Sequence, residues 1–251
     1  MRKVILHIVL ALVLTLTGFA CVAGQESDPW VSGQEAFTRG DYQAAAEIFE
    51  AFLQEHPGSV DAMYNLGNCY LHEGNTGMAV LWYERALKRK PVDADVRHNL
   101  AIVNAKRENA VVRIREFFLL RWVRGISDLL PTGVWAAISL LTAWLGLGLI
   151  MVSVLRRSWH RRRVAAAICA GIFLLAFVFG AQRYADLHRD DLAVVTSAAR
   201  MTIAPDTESK LISVLSTGEK VVILDSLQQY YKVRIANFEH GWVPREDLSK
   251  I

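Results

Sequence analysis

Three long apolar runs stand out from an otherwise mixed pattern of hydrophobic and polar positions. They cover residues 4–20, 133–155 and 164–181. The second run has about 23 residues, and a helix of that length reaches about 35 Å, more than the bilayer's hydrocarbon core of about 30 Å. The third run is shorter but still sufficient. We predict transmembrane helices at 133–155 and 164–181, with a buried core helix as the alternative for the third run.

The first run has the layout of a secretory signal. Arg2 and Lys3 precede an uncharged stretch, and small residues follow it near Ala23. We therefore expect a signal peptide over residues 1–23. The alternative is a lipoprotein with Cys21 as its lipidated first residue, although the residues before Cys21 depart from the usual pattern for lipidation.

An arginine-rich loop over residues 156–163 separates the two predicted spans. Arginine in a short loop favours the cytoplasmic side, so both flanking regions would face outward, as the signal peptide also predicts. We expect a protein of the cytoplasmic (inner) membrane with both soluble parts extracytoplasmic (periplasmic). The net charge of +3 is too small to indicate nucleic acid as a partner. The loop arginines are Arg156, Arg157, Arg161, Arg162 and Arg163.

A basic amphipathic segment over residues 109–132 leads into the first predicted span. Its arginines alternate with large apolar residues such as Phe117, Leu120 and Trp122. Such a stretch can lie in the membrane interface, which is the interpretation we favour over a solvated linker helix. Because these arginines fall on the predicted outer side, they reduce the charge asymmetry between the two sides.

The region before this segment repeats itself with a period of 34 residues. The aligned pairs are Gly33 and Gly67, Gly40 and Gly74, Ala45 and Ala79, Phe49 and Tyr83, Leu53 and Leu87, and Pro57 and Pro91. Small residues let paired helices approach, aromatics fill the gap between them, and proline stops the second helix. The pattern resembles the tetratricopeptide repeat. We expect an all-α domain over residues 26–108, in which a partial third copy from Ala94 forms a capping helix.

Cys69 and His72 have a spacing that could form half of a metal site. A structural zinc site needs four ligands, and the sequence offers no further Cys-His cluster to complete one. Cys69 occupies a repeat position where a small apolar residue packs between helices, and cysteine can fill that place. We therefore predict no metal and no cofactor. With only three cysteines, the chain has no disulfide framework.

The first helices of the repeats would line a groove that can hold a partner. Asparagine amides both donate and accept, so a column of them can satisfy the backbone of an extended peptide. The alternative is that asparagine at the sixth repeat position is simply common in this repeat and caps a neighbouring helix. On the family pattern the lining comprises Gln34, Asn65, Asn68, His72, Asn99 and Ile102.

The segment over residues 192–251 shows short alternating runs separated by turn residues, which predicts β-strands. It resembles the bacterial SH3-like barrel, with Pro205, Gly218 and the terminal Gly241-Trp242-Val243 among the matching residues. We expect Trp242 to be mostly buried and Tyr230 to be the better contact residue, since a small barrel needs its aromatics for the core. The candidate surface aromatics are Tyr230, Tyr231, Phe238 and Trp242.

The predicted fold is a multidomain membrane protein: all-α tetratricopeptide repeats, two transmembrane helices and a C-terminal all-β SH3-like barrel. This order resembles the E-type proteins of the Bacteroides aerotolerance (Bat) group. The resemblance implies an oxygen-related or envelope-stress role beside membrane proteins with von Willebrand factor A domains and a MoxR-class ATPase. No catalytic grouping is visible, so we predict a non-enzymatic adaptor. The alternative is a cell-wall anchor whose barrel binds peptidoglycan.

Overall fold

The computed structural model describes residues 28–106, 118–155 and 160–251. Residues 160–163 of the arginine-rich loop are helical, and only its residues 156–159 lie outside this range, as do the predicted signal peptide, Cys21 and the first part of the segment over residues 109–132. Within it, α-helices precede a single antiparallel sheet. The helices are α1 Pro29–Thr38, α2 Tyr42–Glu55, α3 Val60–His72, α4 Thr76–Arg89, α5 Ala94–Lys106, α6 Phe118–Ser127, α7 Thr132–Leu155 and α8 His160–Leu187.

Helices α1 to α5 form the repeat module, which consists of two helical hairpins and the added helix α5. Side-chain oxygens of Asp28, Asp41, Ser59 and Asn75 cap the N-termini of α1 to α4 by accepting backbone N–H bonds. Gly40 and Gly74 end the first helix of each hairpin with φ of +82° and +80°. Since L side chains rarely adopt that conformation, glycine at this repeat position sets the turn.

Each hairpin closes around one aromatic ring. A Cβ added to Gly67 would lie 2.6 Å from the Tyr83 ring, and one added to Gly33 would lie 2.9 Å from the Phe49 ring. The 34-residue alignment pairs these residues with each other, so both repeats use the same glycine-to-aromatic contact. The module's core is built around these rings, with Leu66 fully buried beside them.

Helices α7 and α8 pack against each other as a long apolar hairpin, called the hairpin below. They contain two stretches apolar and long enough to cross a membrane, Thr132–Ser153 and Val164–Leu187. A Cβ on Gly180 would lie 2.9 Å from Cβ of Trp135, so glycine permits the close approach of the two helices. Helix α8 continues to Leu187, well beyond the apolar run at 164–181, because the residues that follow contain no helix breaker.

The C-terminal residues form a seven-stranded antiparallel sheet, called the barrel below. Its spatial order is β3-β2-β6-β5-β4-β1-β7. The strands are β1 Leu192–Val195, β2 Ala199–Thr202, β3 Leu211–Leu215, β4 Lys220–Leu227, β5 Tyr230–Arg234, β6 His240–Pro244 and β7 Leu248–Lys250. The core contains Ala193, Val195, Met201, Val233 and Val243. The predicted fold class is therefore confirmed.

Candidate functional site

The predicted groove residues differ in how far they are available to a partner. Gln34 on α1 is exposed, and the side chain of Ile102 on α5 is 39% exposed. Asn65 is half-buried on α3, and among the described residues its amide has no hydrogen-bond partner. His72 stacks its ring on Tyr42 at 4.6 Å between centroids, so it helps to hold α3 against the first hairpin.

Asn68 and Asn99 bond to each other. The Asn99 amide donates to Oδ1 of Asn68 at 2.8 Å and to the Tyr64 hydroxyl at 3.1 Å. The Tyr83 hydroxyl donates to the same Asn68 oxygen at 2.6 Å. Burial raises the pKa of Tyr83, so this hydroxyl keeps its proton. The network ties α5 to the second hairpin and thereby fixes the shape of the groove.

Cys69 lies in the core of the repeat module. It is fully buried, and burial together with the charge of Glu73 raises the pKa of its thiol to about 12. Metal binding and nucleophilic chemistry require the thiolate, which this environment disfavours. Within the described parts of the chain, no three His, Cys, Asp or Glu side chains are grouped as metal ligands.

The predicted barrel aromatics fall in three different places. Tyr230 and Trp242 lie half-buried on the outer face of the β5–β6 pair, where Trp242 is directly opposite Lys232. Tyr231 points inward and packs against the barrel core. Phe238 is 62% exposed in the turn between β5 and β6. The structure thus brings together Tyr230, Trp242 and Lys232 as one small outer patch.

The barrel packs directly on α4, which the sequence did not predict. Strand β1 is buried on both faces: Ala193 and Val195 enter the barrel core, and Val194 enters the core of the repeat module. A Cβ on Gly77 of α4 would lie 2.6 Å from the backbone oxygen of Thr196. Glycine is therefore required at this position for the barrel to approach so closely.

Polar contacts surround this apolar interface. The Arg85 guanidinium donates to the Lys250 carbonyl at 2.8 Å, and Lys88 Nζ donates to the Arg189 carbonyl at 2.6 Å. Lys220 of the barrel pairs with Glu84 of α4 at 2.6 Å. Burial lowers the pKa of both Arg85 and Lys88, as expected for cations that are partly removed from water.

Arg183 connects the hairpin to the end of α4. Its side chain is only 4% exposed, and its guanidinium donates to the carbonyls of Lys88 and Arg89 at 2.8 and 2.7 Å. These carbonyls belong to the last turn of α4 and the negative end of its dipole, where a cation is favourable. Asp128, between α6 and α7, lies 3.7 Å from the same guanidinium.

A cleft of about 190 Å³ opens where the repeat module, the hairpin and the barrel meet. Its charged side chains form three pairs: Lys220 of the barrel with Glu84 of α4, Arg183 of α8 with Asp128, and Arg124 of α6 with Asp186 of α8 at 3.6 Å. Burial raises the pKa of Asp128, while Arg183 opposes that change. One pair therefore joins the barrel to the repeat module, and the other two hold α6 and Asp128 against α8.

Comparison with known families agrees with the folds of the repeat module and the barrel. Residues 31–94 match the tetratricopeptide repeat family, and residues 200–249 match the bacterial SH3 domain family. The chain carries both modules. Tetratricopeptide repeats and SH3 domains are non-catalytic interaction modules, which suggests an interaction or scaffold role. No curated protein matches this chain.

Proposed function

We propose that this protein is a membrane-anchored adaptor that holds a protein partner in the groove of its repeat module. One observation carries the proposal: two interaction modules are docked side by side on a hairpin suited to a membrane, and each keeps a surface open. In the repeat module that surface includes Gln34, Asn65 and Ile102. In the barrel it is the patch of Tyr230, Lys232 and Trp242.

Within the groove, the asparagines have different roles in this proposal. Asn65 offers a donor and an acceptor to the backbone of an extended peptide, because its side-chain amide has no hydrogen-bond partner among the described residues. Asn68 and Asn99 act indirectly, since their mutual bond holds α5 in place. His72 supports the wall of the groove through its stack on Tyr42.

The contact between the modules bears on membrane topology. If α7 and α8 cross a bilayer, the docking of β1 on α4 requires both modules to lie on the same side. We propose that this is the extracytoplasmic side, on the basis of the arginine-rich loop over residues 156–163 and the signal peptide over residues 1–23. In this arrangement α6 lies at the membrane surface, with Leu120 and Trp122 exposed to the interface.

The combination of modules supports a Bat-type complex as the setting. The order of repeats, paired spans and SH3-like barrel resembles that of Bat E-type proteins. On this proposal the groove partners are membrane proteins with von Willebrand factor A domains in an aerotolerance or envelope-stress assembly.

Site-directed photocrosslinking in native membranes tests the adaptor. A photoreactive amino acid replaces Asn65 in the groove or, as a matched control, Glu47, which is exposed on the outer face of α2. We expect a defined crosslinked protein from position 65, identified by mass spectrometry as an A-domain membrane protein, and none from position 47. Equal crosslinking from both positions, or no adduct from position 65, would contradict a groove partner.

The outer patch of the barrel favours a second candidate, a cell-wall anchor. Aromatic rings beside a cation can contact both the sugars and the acidic groups of peptidoglycan, and Lys232 lies opposite Trp242. Sedimentation of the detergent-solubilised protein with wall sacculi tests this function. Loss of sedimentation with Trp242→Ala, but not with Phe238→Ala, would favour the anchor over the adaptor.

A further inference from the structure

Three parts of the chain meet at the C-terminal end of α4. The barrel covers the side of this helix through β1, and Arg183 of the hairpin bonds to its last carbonyls. Helix α6 joins the same place, because Arg124 pairs with Asp186 on α8. A displacement of α4 would therefore disturb its contacts to the barrel and to α8, and through α8 the place of α6.

The position of Arg183 along α8 sets its depth. From Val164, where the candidate span begins, to Arg183 the helix rises about 29 Å, close to the thickness of a hydrocarbon core at about 30 Å. Arg183 thus falls at the membrane boundary, where a charged side chain normally reaches for water. Here its guanidinium is instead covered by the repeat module and satisfied by protein carbonyls.

We propose that the repeat module, the barrel and the outer end of the hairpin move as one rigid body, with Arg183 as the link between α4 and the membrane helices. A partner that shifts the repeat module then tilts the hairpin, and the barrel follows without changing its place on α4. This inference concerns the mechanics of the chain and does not depend on which partner the groove holds.

Two contacts give the coupling its stiffness. Val194 has no exposed surface, so undocking would bring an apolar residue into water on the face of β1 that the repeats cover. Undocking at Arg183 would break its hydrogen bonds to the two carbonyls at the end of α4 and remove the cation from the negative end of that helix dipole. Both contacts therefore oppose separation of the parts.

Double electron–electron resonance on the full chain in lipid nanodiscs tests the proposal. The native cysteines are replaced, and spin labels are placed at Glu47 on α2, Glu208 on the barrel and Leu129 at the outer end of the hairpin, all exposed positions. We expect narrow distance distributions for the pair 47–208 and for the pair 47–129. A broad distribution for either pair in the otherwise unmodified chain would overturn the proposal.

Two variants separate the contacts. Gly77→Leu places a side chain against Thr196 and should broaden the pair 47–208, whereas Gln43→Leu, at the equivalent exposed position of the first repeat, should leave it narrow. Arg183→Ala should broaden the distance distribution of the pair 47–129 while that of the pair 47–208 stays narrow. Arg183→Lys should broaden the distribution of the pair 47–129 less. If Arg183→Ala loses its helical circular dichroism, the distance distributions of the unmodified chain and of Gly77→Leu still test the proposal. Narrow distributions in every folded variant would overturn the roles of these contacts.

Discussion

Helices α2 and α4 are the same element of two successive repeats, yet they present opposite surfaces. Along one stripe of α2 the side chains are polar or small and exposed. The same stripe of α4 is covered by the barrel and its flanking residues. The positions correspond as Gln43 to Gly77, Glu47 to Leu81, Ala51 to Arg85 and Gln54 to Lys88.

The difference shows that a repeat records two kinds of constraint. Residues shared between the copies, such as Gly33 and Gly67, hold together the two helices of each repeat. Residues that change from polar to apolar or glycine, such as Glu47 to Leu81, mark the place where another module packs. A departure between copies is therefore as informative as a match.

Exchanging the characters of the two stripes should give the largest effect. Leu81→Glu buries a carboxylate where leucine is 1% exposed, and we expect a loss of about 3 kcal/mol or more in the free energy of unfolding. Glu47→Leu, the reverse change on the exposed stripe, should alter it by about 0.5 kcal/mol or less. Denaturant titration of the detergent-solubilised protein measures both. Similar losses for the two variants would mean that the stripes are not different environments.

The shared glycines should give an intermediate effect. Gly67→Ala and Gly33→Ala both force a methyl group against an aromatic ring, and each should cost about 1–3 kcal/mol of unfolding free energy. The loss should be larger for Gly67, whose added Cβ lies 2.6 Å from the ring against 2.9 Å for Gly33. Gly125→Ala on α6 has open space around its Cβ and serves as control. A smaller loss at Gly67 than at Gly33 would reverse the expected order.

Cys69 offers a pH-dependent comparison, because its counterpart in the first repeat, Glu35, is exposed. The folded state raises the pKa of the Cys69 thiol from 9.0 to about 12, so it favours the neutral form. This contribution is complete below pH 9 and is lost as the pH rises from 9 towards 12. Between pH 8 and pH 10 the free energy of unfolding of the native protein should fall by about 1 kcal/mol more than that of Cys69→Ala. Denaturation curves of both proteins at the two pH values measure this difference. Parallel curves at both pH values would refute the burial of this thiol.

The ion pair between Lys220 and Glu84 should give the smallest effect. Lys220 is 44% exposed, so water screens the pair, and its removal should cost about 0.5 kcal/mol. A double-mutant cycle with Lys220→Ala and Glu84→Ala isolates the coupling energy, which should fall further in high salt. A coupling energy of several kcal/mol, unaffected by salt, would show that this pair and not the apolar stripe holds the barrel.

The local elements of this molecule could be predicted because their signals are local. The 34-residue period predicts the paired helices with glycines and aromatics at their contact, and long uncharged runs identify the two candidate spans. Alternating apolar residues around Gly218 and Gly241 likewise predict the strands. Each of these signals is complete within a few dozen residues.

The docking of the modules could not be predicted in the same way. Val194 and α4 are separated by more than a hundred residues and two membrane-type helices, and the sequence of neither segment indicates that it contacts the other. The available signal was the contrast between Leu81 and Glu47, together with Arg183 near the end of an apolar helix. Among the groove residues, the sequence left open whether the asparagines bind a partner or cap a neighbouring helix, and the structure instead places Asn68 and Asn99 in mutual contact.

The short connection between α8 and β1 limits how far the barrel can reach. Residues 188–191 link the end of the helix to the first strand, and even a fully extended chain of that length spans only about 14 Å. A barrel released from α4 would thus remain tethered close to the end of α8. Whatever ligand it recognises must therefore come within that distance of the end of α8, plus the width of the barrel itself.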